Sequence, residues 1–318
     1  MRGEVMGYDI HYEVGRGGFG TVYKVRKKVD YKTYALKIEN NTARTRRRAM
    51  VDEIQAYREL QGCDGIPHLV DYGFYKGLAF LVLPLFRYSL KDVLERNPKF
   101  FTRKSATILG KKLLSIIELI HGRGRLYRDI KPENIMFDHN NKIYLIDFGM
   151  SMPYLEDNGD HIPELRGRSI SGTLWYMSIN THKGVEQSRR DDIESLFYLL
   201  ILLYKSELPW VEVGISMSKR QKTKTQKVKE SLSIHELCDG ISGKEHLIKF
   251  FEYVRRLEFL EKPDYRYLNS LLDKVLCYKK EFWNYKETDS GEIKESTGLI
   301  AVSLWYKLIS ILCPFSIE

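Results

Sequence analysis

The chain has 318 residues, enough for one large domain or two lobes around a sizeable core. Lys and Arg number 51 against 42 Asp and Glu, a net charge of +9, and the apolar and charged fractions are those of an ordinary soluble globular protein. Four scattered cysteines, Cys63, Cys238, Cys277 and Cys313, form no C-x-x-C pair, which argues against a zinc site or a disulfide framework and fits a reducing, intracellular setting. The first residues, MRGEVMGYDI, lack the apolar stretch of a secretory signal, and Arg2 does not fit the N-myristoylation pattern. The basic excess is clustered at Arg44, Arg46, Arg47 and Arg48, and again at Lys219, Arg220, Lys222, Lys224, Lys227 and Lys229. Such clusters suit either anionic partners or a solvated face.

In chain order, Gly15, Gly17 and Gly20 form G-x-G-x-x-G, and TVYKV follows. β-branched residues after the third glycine predict a strand, so this is a strand-turn-strand loop whose amides can approach phosphates, not the start of a dinucleotide fold. TYALKIE alternates and predicts a short strand carrying Lys37. A helix over about 45–60 follows, with an apolar stripe of Met50, Val51, Ile54, Tyr57 and Leu60; Glu53 lies beside it, able to pair with Lys37. LAFLVLPL, 78–85, is a continuous apolar run and predicts a buried strand, and Phe86-Arg87-Tyr88 reads as a hinge. Helical spacing runs from Ser105 to His121.

That helix leads into YRDIKPEN, Tyr127 to Asn134, and then to KIYLIDFG, a strand ending at Asp147. Asp129 can accept a proton from a hydroxyl, Lys131 can neutralise a phosphate, and Asn134 and Asp147 can hold magnesium through oxygen. These are the parts of phosphoryl transfer. Residues 150–173 read as loop. DDIESLFYLLILLY, 191–204, is too short and too acidic to span a bilayer and predicts a buried central helix. Two further amphipathic helices are expected over 246–277, broken at Lys262-Pro263.

These motifs together resemble a eukaryotic protein kinase, and more narrowly the casein kinase I family of Ser/Thr kinases. SINTHKGVEQSRRDDIESL, LQGCDGIP, LPW, SKRQK and KPDYRYL carry the narrower likeness, which extends over roughly residues 8–285. The resemblance implies an α+β, bilobal kinase fold: an N-terminal lobe 1–87, a C-terminal lobe 88–285, and a tail 286–318. It implies ATP and Mg2+ as cofactors. Gly15, Gly17 and Gly20 would cover the phosphates, and Lys37 and Glu53 would form an ion pair. Val22, Ala35 and Met136 would sandwich adenine, with Leu83 as gatekeeper and Phe86 at the hinge. Asp129 would deprotonate the substrate hydroxyl, Lys131 would contact the γ-phosphate, and Asn134 and Asp147 would bind the metal. Asp192 would bond the catalytic-loop backbone. The family favours acidic or phospho-primed protein substrates, and the anion pocket is expected at Arg189 and Lys222, with Arg128 at a second site.

The sequence departs from the family pattern at several points. Tyr127 replaces the usual histidine, Phe86-Arg87-Tyr88 replaces L-G-P, Trp175 stands in place of the arginine of G-T-A-R-Y, and Met152 and Pro153 replace basic residues. The second anion site is therefore expected to be weaker. An extra residue after Trp210 shifts the alignment of Gly214. The tail carries an apolar stretch, 298–315, interrupted by Lys307. It suits a docked helix or an interfacial anchor with Cys313 as an acyl site. A monomer in nucleus and/or cytoplasm is expected, with the tail as the one route to peripheral membrane contact if it is not a docked helix. The alternative functions are a catalytically silent scaffold or a polyanion- or membrane-binding module; intact Lys37, Asp129, Asn134 and Asp147 argue against the scaffold.

Overall fold

The computed structural model describes residues 4–18, 20–40, 44–211 and 219–278. The tail 286–318 with its apolar stretch and Cys313 lies outside the described residues, as do Gly214 and the side chains of Arg44, Arg46, Arg47, Arg48, Lys219 and Arg220.

The first part is a six-stranded antiparallel sheet. Its strands are β1 (Glu4–Val5), β2 (Tyr8–Arg16), β3 (Thr21–Lys27), β4 (Thr33–Ile38), β5 (Asp71–Tyr75) and β6 (Leu78–Pro84), in the order β1-β2-β3-β4-β6-β5. β6 explains its own continuous apolar run. Phe80 and Val82 join Val5, Tyr8, Val25 and Leu36 on one face, while Ala79, Leu81 and Leu83 turn to the other. Side chains alternate along a strand, so a strand covered on both faces reads as apolar throughout. The second face is covered by α1 (Arg44–Glu59), which brings Met50, Ile54 and Tyr57 into the main core.

The chain leaves this sheet where the backbone amide of Arg87 donates to the Phe137 carbonyl at 2.9 Å. β7 (Tyr88–Ser89) then pairs with β9 (Ile135–Phe137), and β9 with β10 (Ile143–Leu145). The short β8 (Arg125–Leu126) pairs with β11 (Met152–Pro153). The remainder is helical: α2 (Leu90–Arg96), α3 (Arg103–Gly122), α4 (Ile179–His182), α5 (Arg189–Lys205), α6 (Lys219–Ser231), α7 (Ile234–Leu237), α8 (Lys244–Arg256) and α9 (Tyr265–Cys277). Together the antiparallel sheet and the helical part make the α+β kinase fold. No helix among the described residues is long and apolar enough to cross a membrane.

α5 is the axis of the helical part, with Ile193 through Ile201 all buried. α3 packs along it because Gly110 faces Leu200. A Cβ at Gly110 would stand 2.4 Å from Leu200 Cδ2, so glycine sets how closely the two helices approach. α3 begins earlier than its apolar spacing predicts, because Thr102 caps it by accepting a hydrogen bond from the Ser105 amide at 3.2 Å. The break before α9 is also longer than Lys262-Pro263. α8 stops at Arg256, and buried Leu257 and Phe259 carry the chain across the gap. α6 has no apolar stripe to announce it; among its described side chains Gln221, Thr225 and Lys229 are the buried ones.

Candidate active site

The catalytic loop is hung from the start of α5. Asp192 Oδ2 accepts the Tyr127 amide at 2.8 Å and Oδ1 accepts the Arg128 amide at 2.7 Å. Asp192 is itself held by His121, whose Nε2 lies 2.9 Å from Oδ2 and whose Nδ1 lies 2.6 Å from the Tyr265 hydroxyl. These bonds hold Arg128 at φ 72°, a left-handed conformation that a non-glycine residue adopts only under constraint. The turn drives Asp129 inward until it is 4% exposed. Its Oδ1 accepts the Thr173 hydroxyl at 2.7 Å, and its Oδ2 accepts the Asn134 amide at 3.1 Å and the Lys131 ammonium. Both carboxylate oxygens are thus oriented by donors from three separate points in the chain.

Above this loop, Lys37 Nζ contacts Glu53 Oε1 and Oε2 at 2.9 and 2.7 Å and Asp147 Oδ1 at 2.8 Å. The expected ion pair is therefore a three-membered cluster that links the sheet, α1 and the D-F-G segment. Burial alone would lower the Lys37 pKa, but the two carboxylates outweigh it and raise it. Burial also works against ionised Asp147, yet Lys37 overcomes it and holds that carboxyl below its ordinary value. Glu53 is the group on which burial prevails: desolvation lifts it to about 7, against the pull of Lys37.

A pH dependence follows. Below about 7 Glu53 takes up a proton and ceases to counter Lys37. We expect kcat/KM for ATP to fall as pH drops through this region, by up to about tenfold per unit at the limit, and Glu53→Gln to flatten that limb. The stability contribution has the opposite sense. Between the ordinary value of 4.5 and about 7 the folded state keeps a proton that the unfolded chain releases, so stability falls as pH rises across that window. A pH–rate profile of the free enzyme that is flat through neutrality would overturn the assignment.

The D-F-G phenylalanine is fixed by two tyrosines. Phe148 is fully buried, edge-to-face with Tyr57 at 5.0 Å and with Tyr127 at 5.3 Å. The Asp147 amide donates to the Tyr57 hydroxyl at 3.0 Å, and the Tyr127 hydroxyl donates to the Ile146 carbonyl at 2.6 Å. Tyr127, unusual in the sequence, is thus a tie between the catalytic loop and the D-F-G strand. The far end of α1 is held by Arg125, whose Nε and Nη2 reach Glu59 Oε2 at 3.0 and 2.6 Å.

Sheet register gathers the residues expected to face the nucleotide. Val22 pairs with Lys37, Lys37 with Leu81, and Ala35 with Leu83. Directly paired residues share a face, so Val22, Ala35 and Leu83 lie on the Lys37 side. Met136 stands on β9 between Ser89 and Tyr144, and the Phe86 ring packs on Tyr144 at 5.0 Å. In the glycine loop Gly15 pairs with Val22, and the Gly17 amide donates to the Gly20 carbonyl at 2.9 Å. Gly20 cannot be replaced freely, since a Cβ there would sit 2.6 Å from the Ile38 carbonyl oxygen. Among the described residues there is no cluster of three or more His, Cys, Asp or Glu side chains able to hold a metal alone. Asp147 and Asn134 remain: Lys37 occupies Oδ1 of the former, and Asp129 takes the amide nitrogen of the latter, which leaves one oxygen on each. That donor set fits a hard cation held chiefly by phosphates.

Of the residues expected at the anion pocket, Arg189 is engaged within the fold. Its Nη2 donates to the Leu260 carbonyl at 2.6 Å and its guanidinium lies 4.7 Å from the Tyr154 ring, so it braces α5 against the connection before α9. Lys222 sits half-buried on α6. Arg128 instead lines a cavity of about 290 Å³ with Arg168, Ser171 and Gln187. Its direct side-chain partners are neutral: Gln187 Oε1 at 3.3 Å, Ser171 Oγ at 3.0 Å and Met152 Sδ at 2.7 Å. Arg168 was not singled out in the sequence, where it is one basic residue in a loop; its pairing with buried Glu186 at 2.6 Å gives it a fixed place. His121, Tyr57 and Arg125 were also missed, because each acts through a partner far away in the chain.

A glycine loop over a lysine–glutamate–aspartate cluster, with an oriented aspartate beneath, defines a protein kinase. The chain matches the protein kinase domain family over residues 8–281. It is 66% identical, over all of its length and 99% of the relative's, to a "Probable casein kinase I homolog" of Encephalitozoon cuniculi. It is 37% identical over 84% of its length to casein kinase I homolog 2 of Schizosaccharomyces pombe, and 36% over 87% to homolog 1, covering 63% of each. The chain belongs to the casein kinase I family. It is a protein Ser/Thr kinase, and that family's chemistry uses ATP and a divalent metal. The scaffold alternative finds no support.

Proposed function

We propose that this kinase transfers the γ-phosphate of ATP, with Mg2+ as its metal, to Ser or Thr hydroxyls beside acidic or phosphorylated residues. The observation that carries the catalytic assignment is the environment of Asp129. One buried carboxylate takes donors from Lys131, Asn134 and Thr173, and so is aimed rather than free to rotate. Asp129 accepts the proton of the attacking hydroxyl. Lys131 faces the transferring phosphate, and Lys37, with Glu53, orients the remaining phosphates. Asn134 and Asp147 supply the metal's protein oxygens, Gly15, Gly17 and Gly20 close over the phosphates, and Val22, Ala35, Leu83, Phe86 and Met136 surround the base. Transfer of label from Mg-ATP to casein or a primed peptide, with Asp147→Asn as control, tests this reading; no transfer by the intact protein would refute it.

The preference for anions is supported by the cavity of Arg128 and Arg168. Arg128 is half-buried and its direct side-chain partners are neutral, so its charge can meet an incoming anion, and a guanidinium suits phosphate. We expect Arg168→Ala to lower kcat/KM for a phospho-primed peptide by about tenfold and for its unprimed counterpart by much less. Equal losses on both peptides would remove this cavity from substrate selection.

A further inference from the structure

Lys229 is a lysine on α6 that is only 4% exposed. No carboxylate among the described residues lies within ion-pairing distance of its Nζ. It donates instead to two main-chain carbonyls, Met177 O at 2.8 Å and Leu174 O at 3.3 Å. The same nitrogen lies 4.4 Å from the centre of the Tyr198 ring and 5.0 Å from that of Trp210. Trp210 repeats the pattern, since its indole Nε1–H donates to the Trp175 carbonyl at 2.9 Å. Three carbonyls within four residues are thus drawn down by two side chains that touch each other. The segment they hold begins at Thr173, the residue whose hydroxyl reaches Asp129.

A buried lysine is costly unless its donors are satisfied, and a surface-type sequence such as KRQKTKTQKVKES has no packing reason to bury one. Burial pulls the Lys229 pKa well below its ordinary value, with Glu194 opposing and Arg255 assisting that fall. In either protonation state the amine keeps the two N–H donors that the two carbonyls need. No step described above uses this residue.

We propose that Lys229, together with Trp210, is a positioning clamp for residues 173–177, setting the segment that presents the acceptor peptide beside Asp129. The proposal rests on the reading of Asp129 as the base. The clamp acts on the peptide side of the site; the cluster of Lys37, Glu53 and Asp147 lies apart from it, on the nucleotide side.

The test is steady-state kinetics for peptide and for ATP on Lys229→Met, Lys229→Arg and Trp210→Phe, with thermal melting of each. Lys229→Met keeps the length of the side chain and removes its donors. It is expected to lower peptide kcat/KM by about tenfold or more, while KM for ATP moves less than about twofold. Lys229→Arg, which keeps donors for both carbonyls, should recover part of that loss. Trp210→Phe keeps a ring and should lower peptide kcat/KM by a smaller factor, and its effect should not multiply with that of Lys229→Met, since both act on one segment. A folded Lys229→Met protein with parental peptide kinetics overturns the proposal. So does a loss that falls equally on peptide and ATP parameters. If Lys229→Met does not fold, Trp210→Phe decides: parental peptide kinetics overturn the clamp and a selective peptide defect supports it. Asp129→Asn separates this from the reading beneath it, because its retention of activity would refute the base whatever the Lys229 variants do.

Discussion

Asp129→Asn is expected to lower kcat by about a thousandfold, with KM for ATP changed by no more than about threefold. The asparagine is nearly isosteric, and its carbonyl oxygen can still accept from Thr173 or Lys131. The loop should therefore keep its shape, since that shape is set by Asp192 through the amides of Tyr127 and Arg128 and not by the Asp129 side chain. What disappears is a carboxylate able to take the hydroxyl proton. Two controls separate chemistry from folding. The melting temperature should stay close to that of the parent, and nucleotide affinity measured directly should be unchanged. A variant that retains more than about a tenth of the parental kcat would show that proton transfer to Asp129 contributes little to the rate-limiting step.

Lys37→Met is expected to act on both activity and stability. It removes the cation that Glu53 and Asp147 share, leaving two carboxylates close together in a mostly buried site. Breaking a buried ion pair by deleting one partner typically costs about 3–5 kcal/mol, because the charge left behind stays desolvated. Here part of that cost is relieved when Glu53, already lifted by burial, takes up a proton. Destabilisation should therefore be larger at pH 8 than at pH 6, whereas loss of an ordinary surface pair, ionised at both values, would cost the same at each. kcat/KM should fall by at least about a hundredfold at both pH values if Lys37 is, as proposed, the cation that orients the phosphates. Denaturant melts at the two pH values check the stability statement. An equal loss of stability at both would mean that Glu53 is not the titrating group.

The sequence and the structure diverge in an instructive way. Local chemistry was legible: glycines before a β-branched strand, alternation in TYALKIE, the apolar run of β6, and the spacing of Asp129, Lys131, Asn134 and Asp147. Each of these depends on residues close together in the chain, where period and turn chemistry apply directly. α6 was not legible, because a helix that buries Gln221, Thr225 and Lys229 shows no hydrophobic period. Side-chain directions at the expected anion pocket were not legible for a related reason. Arg189 is assigned to that pocket by family resemblance and not by any local pattern. Its direction is decided by the helix it begins, which turns it toward Leu260 and Tyr154. Arg168 gained its place only through Glu186, 18 residues further on.

By itself, then, the sequence determined the reaction class and pointed to candidate groups for it, because phosphoryl transfer needs a few polar residues at characteristic separations along the chain. The addition of Asp147 to the pair of Lys37 and Glu53, the hold of His121 on Asp192, the enclosure of Phe148 by Tyr57 and Tyr127, and the grip of Lys229 on the segment after Thr173 were decided by tertiary structure alone. Each joins residues from separate elements, and the direction of a buried side chain is set by what packs around it, which neighbouring residues in the chain do not record.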